Sequence, residues 1–148
     1  MEQMDKFREQ QVWQRVHPPE KSSQRQDLRA LALAAGENEA AYRRLAGVLP
    51  GALREQAQGL LRQSRMEIAT LSGLHRLSTG AALGFKPQPL PDGVPRELVQ
   101  SSFYRSCRAL TEYTARSAEP EFGPVFREMA DAAQKRCAQL AQLMGQLT

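Results

Sequence analysis

The sequence predicts an all-α protein folded as a four-helix bundle. Apolar residues recur with a 3-4 spacing in four long segments, which is typical of helices that bury one face. No segment alternates apolar and polar residues over a useful length, so strands are not needed. The connections between the four segments are short, long and short, and this pattern is typical of a bundle with one crossover connection.

The first two segments form a predicted helical hairpin. They cover about residues 24–49 and 51–78, and Pro50 and Gly51 turn the chain between them. Proline is favoured in the first turn of a helix, and Ser22-Ser23 can cap the first helix at its amino end. Because both helices rise equally per residue, positions whose numbers sum to about 102 lie at the same height.

A long crossover connection follows the hairpin. Residues 80–95 contain four prolines and three glycines, which exclude a regular element and leave enough chain to run from one end of a bundle to the other. The third helix then covers about residues 95–117. The fourth carries a 3-4 spaced line from Phe122 to Leu147.

Polar residues interrupt the predicted buried lines at mid-height. The first helix carries Asn38 there, the second Ser64 and Glu67, and the fourth Arg136. A buried carboxylate is costly unless it is paired or liganded, and Arg136 could form a bidentate pair with Glu67 and bond to Asn38. The alternative is that Arg136 extends to solvent and Glu67 tilts to the rim. On the third helix, two positions of the predicted buried line have alternatives. The line is Val99, Phe103, Cys107 or Ser106, Leu110, and Thr114 or Tyr113.

Composition places the chain among globular proteins and limits its partners. The 148 residues fit one domain, divided into an N-terminal arm or short helix over residues 1–21, with Trp13 packed on the bundle, and the bundle over residues 22–148. The net charge of +4 is scattered without a basic, aromatic-lined stripe, which argues against nucleic acid as a partner. No apolar run or signal peptide is present, so we expect a cytoplasmic protein without a membrane partner.

Three segments carry a resemblance to a known family. Residues 35–46 read AGENEAAYRRLA, residues 65–70 read RMEIAT, and residues 121–130 read EFGPVFREMA. Together they resemble the rubrerythrin-like ferritin-like domains that are common in anaerobic bacteria. The resemblance implies a ferritin-like bundle whose core binds two iron or manganese ions through glutamates and two Glu-x-x-His motifs. The metal ligands it implies here are Glu67 and either Glu37 or Glu39.

The chain departs from that ligand pattern. It contains no Glu-x-x-His, because Thr70 follows Glu67 at the histidine position and the second motif reads Ala133 with Arg136. We therefore expect that the di-metal centre has been lost, that no cofactor is bound, and that the bundle is a non-catalytic binding or assembly module. Its partner would be a second copy or another protein. The alternative is a rubrerythrin-like oxidoreductase acting on peroxide or oxygen with iron or manganese.

The remaining reactive residues suggest no further site at this stage. Cys107 and Cys137 lie on separate predicted helices and are expected to be reduced, buried thiols, with a disulfide between neighbouring helices as the alternative. His75 is expected at the surface or as a cap near the end of the second helix. Tyr42 is expected to be a core tyrosine bonded to a polar partner. His17 is expected to be a plain turn residue.

Overall fold

Four helices form the described part of the protein. The computed structural model describes the backbone of residues 18–147 and the side chains of residues 28–147. Within that part the all-α prediction is confirmed, because the regular elements are α1 (Pro18–Val48), α2 (Gly51–Thr79), α3 (Pro95–Arg116) and α4 (Gly123–Gln146). No helix in the described residues combines the length and apolarity that a membrane crossing requires. Trp13 and His17 lie outside the described residues.

The start of α1 differs from the prediction. The helix begins at Pro18, so the predicted cap at Ser22-Ser23 is wrong and lies inside α1. The predicted boundary at residue 21 also falls within this helix. Two prolines are tolerated in the first turn because the first N–H groups of a helix have no partner within it.

The predicted turns and stops around α2 are confirmed. Gly51 adopts a φ of 52° directly after Pro50, whose own backbone is extended. Gly80 ends α2 with a φ of 75°, and its N–H donates to the carbonyl of Arg76 at 2.7 Å. Positive φ favours glycine, which has no Cβ to clash with the backbone.

Neighbouring helices run antiparallel around the bundle. α1 packs against α2 and α3, and α4 packs against α3 and α2. Contacts from Asn38 to Arg105 and from Tyr42 to Ser102 set the opposite directions of α1 and α3. α1 and α4 therefore lie across a diagonal of the bundle, as do α2 and α3.

Two apolar clusters occupy opposite ends of the bundle, and the predicted polar interruption lies between them. The first cluster contains Leu31, Leu71 and Phe126, and the second contains Leu45, Leu60 and Leu140. The layer between them contains the ion pair of Glu67 and Arg136 and the buried polar residues Asn38, Glu39, Ser64, Ser102 and Ser106. The bundle therefore has a polar layer at mid-height, with a dry core on each side.

The buried line of α3 consists of smaller residues than the apolar pattern indicated. The fully buried positions are Val99, Ser102 and Ser106, followed by Ala109 and Tyr113. Phe103, Cys107 and Leu110 are only partly buried, and Thr114 is exposed. Small side chains on α3 leave room in the middle of the bundle for the long side chains that enter from α1 and α4.

The irregular connection between α2 and α3 follows the surface of α1. Leu83 packs against the first apolar cluster, and the carbonyl of Gln88 accepts a hydrogen bond from Arg43 at 2.8 Å. The connection then leads to Leu98 in the second cluster. Contacts of the connection with α1 and the first cluster thus precede the start of α3.

We expect that Gly36 is required for the connection between α2 and α3 to pack closely against α1. A Cβ at Gly36 would lie 2.7 Å from the ring of Phe85, whereas a Cβ at Gly73, also inside a helix, would meet nothing within 4 Å. Gly73→Ala should stabilise the protein by about 0.5–1 kcal/mol, and Gly36→Ala should be less stable than Gly73→Ala by about 1–3 kcal/mol. Urea unfolding measures both. Equal stabilisation by the two substitutions would contradict the prediction.

Candidate functional site

A buried ion pair between α2 and α4 forms the centre of the polar layer. Nη1 of Arg136 lies 3.3 Å from Oε1 of Glu67, and Nη2 donates to Oε2 at 3.3 Å. The two side chains are 3% and 8% exposed, respectively. The pairing proposed from the sequence is therefore present, and the guanidinium does not extend to solvent.

Two residues of α3 complete the contacts of this pair. The phenol of Tyr113 donates to Oε2 of Glu67 at 2.7 Å, and Nε of Arg136 donates to Oγ of Ser106 at 3.0 Å. Oε2 of Glu67 thus accepts from two donors. Oε1 has no aligned hydrogen-bond donor and contacts only the charge of Arg136. The group ties α2, α3 and α4 together at one height.

The electrostatics keep Arg136 charged and the phenol of Tyr113 protonated. Burial by itself lowers the pKa of Arg136, but the charge of Glu67, together with Tyr42 and Tyr113, raises it above its ordinary value. Burial raises the pKa of Tyr113, and the neighbouring Glu67 carboxylate raises it further. At neutral pH Tyr113 is therefore a hydrogen-bond donor to a charged acceptor.

Tyr42 brings α1 to the same layer. Its hydroxyl is fully buried and hydrogen-bonds to Ser102 on α3, so the predicted polar partner of this core tyrosine exists. Burial raises the pKa of Tyr42, while the nearby charge of Arg136 opposes that rise. The phenol therefore remains protonated at neutral pH.

Asn38 does not bond to Arg136, which corrects the interpretation from the sequence. Its Oδ1 instead accepts from Nε of Arg105 at 2.8 Å, and Nη1 of Arg105 lies 3.7 Å from Glu37. The reason is geometric, because α1 and α4 lie across the diagonal whereas α1 and α3 are neighbours. Burial lowers the pKa of Arg105, and Glu37 partly offsets that effect.

Ser64 also stands apart from the predicted cluster. Its hydroxyl is completely buried and donates to the carbonyl of Leu61 at 2.8 Å within α2. The equal-height rule placed Ser64 opposite Asn38, but the side-chain bond of Ser64 is satisfied inside its own helix. Of the four residues in the predicted cluster, only Glu67 and Arg136 bond to each other.

The three candidate metal ligands face arginine side chains at three separate places. Glu37 pairs with Arg105, as described above. Glu39 contacts Nε of Arg43 at 3.0 Å and Nε of Arg65 at 3.6 Å. With Glu67 opposite Arg136, each of the three carboxylates already faces a guanidinium. This donor set does not fit a di-metal centre, which needs bridging carboxylates and neutral imidazoles around shared ions.

His75 supplies no imidazole to that layer. It is 1% exposed at the end of α2, so the expectation of a surface histidine is wrong, and its Nδ1 lies 3.1 Å from the carbonyl of Ala81. The side chain secures the start of the crossover. Among the described residues, no group of three or more His, Cys, Asp or Glu side chains is placed to hold a metal ion.

A cleft between α2 and α4 reaches the ion pair from solvent. Its volume is about 440 Å³, and Glu67 and Arg136 contribute to its wall together with Gln63, Glu128 and Lys135. A carboxylate that accepts from two donors and faces a guanidinium is a poor cation ligand, because a cation must first break these contacts. The arrangement is suited to holding three helices in register.

Comparison with known proteins adds no family to this description. No protein-family model, curated protein or solved structure matches the chain. The resemblance noted from the sequence is therefore an untested hypothesis, and function must be argued from the geometry of the polar layer.

Sequence reasoning did not include Ser106, Tyr113 and Arg105 in the cluster around Glu67 and Asn38. A usable signal existed for the first two. A 3-4 count from Val99 passes through Ser102 and Ser106 and reaches Tyr113 on one face of α3. Phe103, Cys107 and Leu110, which are larger and lie one position further along, obscured that face. Arg105 carried no comparable signal, since its position beside Asn38 depends on how α1 packs against α3.

We expect Glu67 and Arg136 to be strongly coupled in stability. Glu67→Gln and Arg136→Met should each lower the free energy of unfolding by about 3–5 kcal/mol, because each leaves a buried charge without its partner. The double variant should lose at least about 1 kcal/mol less than the sum of the singles. Urea unfolding at pH 7 measures all four proteins.

The exposed ion pair of Arg65 provides the control for this cycle. Its side chain is 60% exposed beside Glu39, so Arg65→Met should cost less than about 1 kcal/mol. If the Arg136 and Arg65 variants lost equal stability, or if the two core substitutions were additive, the ion pair would not be the centre of the layer.

Proposed function

We propose that the protein is a ferritin-like helical bundle that has lost its di-metal centre and serves as a non-catalytic binding or assembly module. The observation that carries this proposal is the position of Arg136. Its guanidinium lies in the middle of the bundle, 3.3 Å from the one acidic side chain of α2 in the polar layer. A permanent positive charge there takes the place that a cation would occupy.

The contacts of Arg136 support the proposal that the centre of the bundle no longer admits a metal ion. Arg136 is bonded at both ends, through Nε to Ser106 and through Nη2 to Glu67. A cation approaching Glu67 would have to displace the guanidinium and would leave it buried without a partner. That displacement is costly, because an uncompensated buried charge destabilises a protein by several kcal/mol.

The cleft between α1 and α3 has the features of an assembly surface, and its proposed occupant is a second copy of this chain. Its volume is about 560 Å³, and its apolar lining includes Leu33, whose side chain is 49% exposed. The rim carries two acidic and two basic residues, Glu37, Glu112, Arg105 and Arg108. Arg108 and Glu112 lie one helical turn apart with opposite charges, so two copies related by a two-fold axis can pair them reciprocally.

Metal loading tests the closed centre. We expect the full chain to retain no iron above a protein-free blank after anaerobic incubation with ferrous iron and desalting, measured by mass spectrometry. The physical reason is the charge of Arg136 beside the buried carboxylate of Glu67. Glu67→Ala serves as the comparison. About two irons per wild-type chain, lost in Glu67→Ala, would instead support the rubrerythrin-like oxidoreductase.

Sedimentation equilibrium tests the assembly surface. We expect a dimer that Leu33→Glu weakens at least about tenfold, because the substitution buries a charge at the centre of the interface. Leu77→Glu is the matched control, since Leu77 is 74% exposed near the end of α2 and lies outside this cleft. Arg108→Glu should weaken the dimer, and the added change Glu112→Arg should restore it. A monomer at all concentrations, or equal weakening by the Leu77 variant, would contradict the proposal.

A further inference from the structure

Two thiols face each other between α3 and α4 beside the polar layer. The thiol of Cys107 donates to the sulfur of Cys137 at 3.8 Å, and both cysteines are reduced. Each follows a residue of the polar layer, because Cys107 comes after Ser106 and Cys137 after Arg136. The hydrogen bond from Arg136 to Ser106 thus joins the same two helices at the same height as the sulfur contact.

The contact is close to the geometry of a disulfide. A disulfide bond is about 2.05 Å long, so the sulfurs need to approach by less than 2 Å, a distance that side-chain rotation covers when the backbones are closely packed. α3 and α4 pack against each other along the bundle. Closure therefore requires a further approach of the two sulfurs of less than 2 Å.

The two cysteines differ in access, which gives them different roles. Cys107 is partly exposed, whereas Cys137 is 9% exposed. Burial raises the pKa of Cys137 to about 11, and the hydrogen bond from Cys107 adds to this rise, while Arg136 opposes it. Cys137 is therefore a protonated thiol in the resting protein, and the accessible sulfur is that of Cys107.

We propose that Cys107 and Cys137 form a reactive dithiol site that takes low-molecular-weight disulfides as its substrate class. Cys107 is the attacking residue and Cys137 the resolving residue. Oxidation links α3 to α4 next to Arg136 and Ser106, and a thiol reductant restores the original state.

The two steps balance as thiol–disulfide exchange. In the first, the thiolate of Cys107 attacks one sulfur of the small disulfide. A mixed disulfide forms, the sulfur–sulfur bond of the substrate breaks, and one small thiolate leaves. In the second, the thiolate of Cys137 attacks the sulfur of Cys107, the protein disulfide forms, and the second small thiolate leaves. The departing thiolates take the two protons, and two electrons pass from the protein to the substrate.

Arg136 assists the second step. Once Cys107 is in the mixed disulfide, it no longer donates to Cys137 as a thiol, so one of the contributions that raised the pKa of Cys137 is gone. The neighbouring guanidinium remains and favours the thiolate. Burial, the largest contribution to the raised pKa of Cys137, is unchanged by the first step, so the second step depends mainly on the short distance between the two sulfurs.

Intact mass spectrometry of the full chain with glutathione disulfide at pH 8 tests this order of events. We expect the wild type to lose about 2 Da and to give a linked Cys107–Cys137 peptide pair. Cys137→Ser should stop at the mixed disulfide and gain about 305 Da on Cys107. Cys107→Ser should react at least about tenfold more slowly while folded, because the remaining thiol is buried. In urea the two variants should react equally.

The stability of the product gives a second readout. Oxidised protein should melt roughly 5–10 °C higher than reduced protein, because the link restricts the unfolded chain between the two helices. Accumulation of the mixed disulfide in the wild type would overturn the proposal. So would a disulfide between two chains, or equal rates for the two folded serine variants. Serine is close in size to cysteine, and circular dichroism checks that each variant is folded.

Discussion

The buried ion pair between Glu67 and Arg136 is the interaction on which the middle of the bundle depends. Taking either charge out of water is costly, and the pair is tolerated because the guanidinium faces both carboxylate oxygens. Tyr113 and Ser106 satisfy further polar atoms on each partner. Contacts of this kind allow one relative height of α2, α3 and α4, whereas an apolar layer would tolerate sliding. The polar layer thus sets the register of the helices.

The rest of the molecule adapts to that layer. α3 presents small side chains at Ser102 and Ser106, so that Tyr42 and Arg136 can enter the centre from other helices. The apolar side chains form two separate clusters, one at each end. The connection between α2 and α3 lies outside this core along α1. The ring of Phe85 packs against Gly36, which has no Cβ to obstruct it. A bundle built around a charged centre therefore has its dry core in two parts.

How far the sequence predicted this arrangement depends on the range of the interaction. The burial of Asn38 on α1 follows from its position on an apolar line, because helical periodicity is a local property. The pairing of Glu67 with Arg136 was also within reach, since both lie on apolar lines and a buried charge needs a partner. The sequence did not predict three features: the start of α1 at Pro18, the burial of His75 and the bond from Arg105 to Asn38. The bond from Arg105 to Asn38 depends on the packing of α1 against α3, which lie far apart in the chain.

The sequence by itself determined the four helices, their stops and the presence of polar residues at mid-height. Helical periodicity, proline and left-handed glycine act within a few residues, so their effects can be recognised in the sequence alone. Only the tertiary structure decided which residue each of these polar side chains bonds to. Because α1 lies diagonal to α4, Asn38 bonds to Arg105 on α3, and Arg136 pairs with Glu67 on α2. The packing of α3 on α4 places the sulfurs of Cys107 and Cys137 3.8 Å apart, because side chains of neighbouring helices meet according to the angle and height at which those helices pack.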